Sequence, residues 1–117
     1  MQRKEAQQLQ IFRDSMKSRV NLGIRIEAMT AIDLPEALHL NNRILDSVDW
    51  LTEHQMSYLF QNAYSFLAVK DKDTLVGFLI SLAPGLDYDC HAYVWYGKNI
   101  LHKKYIFVDR IVVNDAY

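Results

Sequence analysis

A strict alternation of apolar and polar positions opens the pattern of the main domain. Between Asn21 and Ala28, Leu22, Ile24 and Ile26 alternate with Gly23, Arg25 and Glu27. Successive side chains of a strand point to opposite faces, so this period of two predicts a half-buried strand. The period then lengthens. Leu34, Ala37, Leu38, Asn41, Ile44 and Leu45 recur at helical spacing down to about Asp46, which gives one buried face. Thr30 and Asp33 have the spacing of a capping box ahead of this helix, with the Thr hydroxyl placed to accept an orphan amide. Pro35 falls within the first turn, where its missing amide proton costs little. A second cap, Thr52 with Gln55 three residues on, precedes Met56, Leu59, Phe60 and Ala63 and predicts a short second helix.

The pattern then returns to strands. Ser65 to Lys70, the turn residues Asp71-Lys72-Asp73 and the run Thr74 to Leu82 predict an antiparallel hairpin. The second strand is nearly all apolar, which predicts cover on both of its faces. Pro84-Gly85 ends it. The stretch 86–102, polar and aromatic by turns, fits neither period and is left unassigned. Tyr105 to Val113 is β-branched and aromatic and predicts a last strand. Ahead of all this, residues 2–19 are rich in Gln, Arg and Lys, with Leu9, Phe12 and Met16 on one narrow helical stripe. An amphipathic helix is expected there, either a solvated extension or an arm that covers a partner subunit.

Composition narrows the class. At 117 residues the chain suits one domain, taken as a helical extension over 1–20 and an α/β (α+β) domain over 21–117. Thirteen basic residues against fourteen acidic ones give a net charge of −1, which does not draw the molecule to nucleic acid or an anionic membrane. The single cysteine, Cys90, cannot form an internal disulfide and suits a cytoplasmic setting. No stretch resembles a signal peptide or approaches the roughly 20 apolar residues of a membrane span. No cysteine or histidine spacing suggests a metal. His39, His54, His91 and His102 show no ligand spacing and are expected at the surface.

Several phrases carry a resemblance. Ile24-Arg25-Ile26-Glu27-Ala28, leading through Thr30 to Asp33-Leu34-Pro35, resembles the opening strand and first helix of GNAT-type N-acetyltransferases. Leu75-Val76-Gly77-Phe78 is similar to their third strand, and Phe107-Val108-Asp109-Arg110-Ile111-Val112-Val113 to their fourth. Pro84-Gly85, Asp87-Tyr88 and Trp95 fit a subgroup with a turn and an aromatic segment before that strand. The resemblance covers roughly residues 22–114 and lies in the ordered series of phrases.

It implies a mixed, mainly antiparallel sheet of about four strands with two helices after the first. It also implies acyl transfer from acetyl-CoA to a small amine or a protein amino group. The backbone of Ile111, Val112 and Val113 would then run beside the pantetheine arm. After the fourth strand the family has a Gly-rich turn opening a helix, whose amides bind the pyrophosphate. Here Val113 is followed by Asn114, Asp115, Ala116 and Tyr117, without a glycine, so the expectation is a domain truncated before its coenzyme A helix. Weak or absent activity is the consequence, with a non-catalytic binding module as the alternative.

Candidate site residues follow. Asp109 can act as a base or orient an amine, or serve as a structural hydrogen-bonding residue. Because neighbours on a strand face opposite ways, Asp109 and Arg110 are not expected to pair with each other. Tyr88, Trp95 and Tyr96 can line an acceptor pocket or pack under the strand. An open final strand would need cover, so self-association as a dimer near Ile106–Val113 is expected.

Overall fold

A computed structural model describes residues 7–8, 10–11, 23–44, 48–100 and 104–117 of the chain. From residue 23 onward the described elements run in the order β1 (Ile24–Ala28), α1 (Leu34–Arg43), α2 (Glu53–Asn62), β2 (Ser65–Asp71), β3 (Thr74–Leu82), α3 (His91–Asn99) and β4 (Phe107–Val113). The strands form one antiparallel sheet in the order β1-β2-β3-β4. The mixed fold and the sheet of four strands thus agree with the sequence pattern. In the N-terminal extension Gln7, Gln8, Gln10 and Ile11 are helical and exposed, while Leu9, Phe12 and Met16 lie outside the described residues. Leu22, Leu45, Asp46 and His102 also lie outside them.

The helix starts differ in how they are closed. Thr52 accepts the amide of Gln55 at 3.0 Å and the Gln55 side chain accepts the Thr52 amide at 2.8 Å, a complete capping box. Thr30 makes no such bond. Its hydroxyl donates to the Asp33 carboxylate at 2.9 Å, and residues Ala31–Asp33 form a short 3-10 turn before α1. The same carboxylate oxygen meets Lys70 of β2 at 3.0 Å, and this hydrogen bond holds the Asp33 carboxyl below the usual range.

One face of the sheet carries the core. The cross-strand row Ala68, Phe78 and Val112 and its neighbour Phe66, Ile80 and Arg110 pack beneath Ala37, Leu40, Met56 and Leu59 of α1 and α2. The other face is apolar as well and open. Ile26, Val69, Gly77 and Val113 form one of its rows and Ala28, Leu67, Leu79 and Ile111 the next. Of these, Ile26, Ile111 and Val113 are about half exposed. Along β3 itself every residue but Thr74 and Leu79 is nonetheless buried, although this second face lacks the layer of cover that its apolar sequence predicts.

The stretch 86–102 contains the helix that its irregular pattern concealed. Tyr93 anchors α3: its hydroxyl donates to the Ala83 carbonyl at 2.6 Å and accepts the Leu86 amide at 2.9 Å. Its ring meets Tyr88 and Phe107 edge-on, with centroids 5.6 and 5.4 Å away. Only Tyr93 of this helix is buried, so no repeating apolar stripe marks it in the sequence.

Strand β4 leaves no room for a side chain at Gly77 of β3, where an added Cβ would lie 2.8 Å from the Val112 carbonyl oxygen. Backbone on both sides cannot give way as a flexible side chain would. Gly77→Ala is therefore expected to destabilise the fold by about 1–3 kcal/mol, and Thr52→Ala, which removes the cap, by about 1 kcal/mol. Urea unfolding of both variants beside the parent measures this.

Candidate functional site

Strand β4 contains an irregularity that decides where its charged side chains go. Ile80 pairs with Arg110 and Ser81 with Val108, so Asp109 is an extra residue with no partner across the ladder. Such a bulge shifts the phase of alternation by one. Phe107, Asp109, Arg110 and Val112 consequently all turn toward the helices, while Val108, Ile111 and Val113 are exposed on the other side. Asp109 and Arg110 do pair, contrary to the expectation from regular alternation: Arg110 Nε donates to Asp109 Oδ2 at 2.6 Å. The bulge is the physical reason. Both side chains are almost wholly buried, with 6% and 2% of the Arg110 and Asp109 side-chain surface exposed.

Buried charges need partners, and here each has more than one. The second carboxylate oxygen of Asp109 accepts the Tyr88 hydroxyl at 2.6 Å. Arg110 Nη1 donates to Asn41 Oδ1 at 2.8 Å and to the Asp49 carbonyl at 3.0 Å. Burial disfavours the Arg110 charge, yet the hydrogen bond and charge of Asp109 outweigh it and raise the guanidinium's pKa. Tyr88 is also raised, first because it is buried and then because its proton is held by the Asp109 carboxylate. Its hydroxyl is therefore a neutral donor to Asp109 whose oxygen can still accept.

Two adjacent asparagines on α1 hold the facing loop. Asn41 Nδ2 donates to the Asp49 carbonyl at 3.0 Å. Asn42 grips Leu51 from both sides, donating to its carbonyl and accepting its amide, each at 2.9 Å. Neither asparagine stood out in the sequence as a site residue, although an Asn pair inside a helix is a weak signal, since Asn is a poor helix former.

Beside this network opens a pocket of about 600 Å³, walled by the loop Val48–Leu51, by Tyr88 and the start of α3, and by Asp109 and Arg110. Tyr88 and Asp109, two of the candidate residues, are brought together here. Trp95 and Tyr96 are not. They sit on α3, where Trp95 lines a separate shallow hollow with His91 and Lys98 and Tyr96 lines another with Tyr105 and Phe107. His39, His54 and His91 are exposed, and among the described residues no group of three His, Cys, Asp or Glu could hold a metal ion. Among them, too, no helix is long and apolar enough to cross a membrane.

The backbone of Ile111, Val112 and Val113 pairs with β3 on one side only. Past β4 the chain turns back. The Asn114 amide donates to the Val76 carbonyl, the Ala116 amide to Asn114 Oδ1 and the Tyr117 amide to the Asn114 carbonyl. No family model, no curated protein and no solved structure matches the chain.

Arg110→Met leaves Asp109 Oδ2 and Asn41 Oδ1 without their donor, and a loss of about 3–5 kcal/mol is expected in urea unfolding. Adding Asp109→Leu should recover part of it, because both charges are then gone. The raised Tyr88 pKa gives a second outcome. Above the ordinary tyrosine value of about 10 the unfolded chain releases this proton while the native one keeps it. Its contribution to stability is whole below that pH and falls as pH rises toward the native value. Parent stability should therefore drop more steeply at alkaline pH than that of Tyr88→Phe, measured by unfolding across that range.

Proposed function

We propose that the chain is the acceptor-binding part of a GNAT-like, acyl-CoA-dependent N-acetyltransferase, with Tyr88 and Asp109 receiving the N–H groups of an amine. The observation that carries this reading is the bulge in β4, which turns Asp109 to the helix side of the sheet, where it borders the pocket and meets Tyr88. Both groups present acceptor oxygens, and the Arg110 cation beside them is already engaged by Asp109, Asn41 and the Asp49 carbonyl. A site so arranged favours a ligand that brings its own donors and positive charge. Asp109 and Tyr88 would orient the amine, while the buried pair beneath fixes the carboxylate before the amine arrives. The succession of one strand, two helices, two strands, a third helix and a last strand, with all strands antiparallel, lends further support.

Acetyl-CoA would supply the acyl thioester, and the residues present suit it only in part. The free edge of β4 at Ile111–Val113 offers backbone groups for an extended pantetheine arm. A pyrophosphate needs several convergent amides, and those of Asn114, Ala116 and Tyr117 are engaged in the turn. These residues do not supply the cradle, an observation that favours the second reading, a GNAT-derived binding module without catalysis.

Calorimetric titration of the folded 117-residue chain with acetyl-CoA separates the two. A dissociation constant below about 100 µM, worth about 5.5 kcal/mol, is the outcome expected of the enzyme reading. Absence of heat at millimolar ligand leaves the module.

A further inference from the structure

The two edges of the sheet differ in charge. On β1, Arg25 pairs with Glu27 at 3.3 Å and with Asp73 at 3.5 Å, and Glu27 in turn meets Lys70 at 3.5 Å. Charged side chains on an edge discourage a further strand, because pairing would strip them of water. The opposite edge has no such guard. The only charges of β4, Asp109 and Arg110, are turned inward and bound to each other. Its outward residues Val108, Ile111 and Val113 are 51%, 59% and 49% exposed and all apolar. The terminal turn folds toward β3 and β2, where the Tyr117 hydroxyl donates to Asp71, so among the described residues nothing pairs with this edge.

We propose that β4 pairs with β4 of a second copy of this chain, antiparallel about a twofold axis at Val112, so that Ile111 of each copy lies opposite Val113 of the other. The joint is short because the bulge at Asp109 breaks the ladder on its N-terminal side. Charge decides the partner. A β4 edge set against β1 would place uncharged residues beside the Arg25, Glu27 and Lys70 cluster, and would repeat without closing into a fibre. Set against itself, β4 meets only apolar outward residues and no like charge. The pairing closes after two copies and joins the open apolar rows of both sheets into one surface.

Sedimentation equilibrium of the 117-residue chain up to about 100 µM tests this. A monomer–dimer equilibrium is expected, with Ile111→Lys and Val113→Lys each raising the dissociation constant at least about tenfold. Both side chains point to solvent, and circular dichroism confirms that the variants keep the fold. Ile26→Lys, on the same face at the other edge, should leave the dimer unchanged. A monomer throughout overturns the proposal, as it would if further polypeptide or another protein is the natural cover of this edge. So does a dimer that survives both β4 substitutions. Loss of the dimer in Ile26→Lys as well would also overturn it, since packing of the open faces would then be the contact.

Discussion

The pairing of Asp109 with Arg110 is the constraint on which the architecture around the pocket rests. Taking both charges from water is costly, and the cost is met only where each lone pair and proton finds a partner. That requirement reaches across the fold. Through Arg110 it fixes α1 at Asn41 and the loop at Asp49; through Asp109 it fixes the segment that carries Tyr88. Elements far apart in sequence are thereby held at one point on the sheet. The bulge that permits the pair belongs to the same constraint, since without it one of the two charges would face the open side.

The rest of the core is of the ordinary kind, with Phe78, Ile80 and Leu82 of β3 under Ala37, Leu40, Met56 and Leu59. Hydrophobic burial of this sort is tolerant of small shifts. Polar contacts between buried groups are not, because a misplaced donor leaves an acceptor without compensation. The division of labour is plain. Apolar packing sets the sheet and helices together, and the buried polar network sets their exact register near the pocket.

Much of the fold was legible because its signals are local. The hairpin of β2 and β3, the capping box at Thr52 and the apolar strand β4 each follow from a handful of neighbouring residues. What failed depended on contacts made elsewhere. Thr30 has the right spacing for a cap, but its hydroxyl donates to Asp33, which Lys70, forty residues on, also holds, and the cap does not form. Helix α3 buries only Tyr93, whose partners Ala83 and Leu86 lie across a turn. Asp109 was a candidate from its charge within an apolar strand, whereas its union with Arg110 needed the register against Ile80 and Ser81. Asn41 and Asn42 acquire their role only from the loop they grip.

The two hydrogen bonds of the Tyr93 hydroxyl make α3 and the turn before it a single mechanical piece. The first residues of that helix, His91 and Ala92, border the pocket, and Trp95 stands one turn further along, outside it. A molecule that settles in the pocket and presses on the start of α3 must tilt the whole piece. Of the chain's two tryptophans, Trp50 would feel such a molecule by touch and Trp95 by leverage. Their fluorescence offers two signals of one event, the second free of direct quenching by the bound molecule.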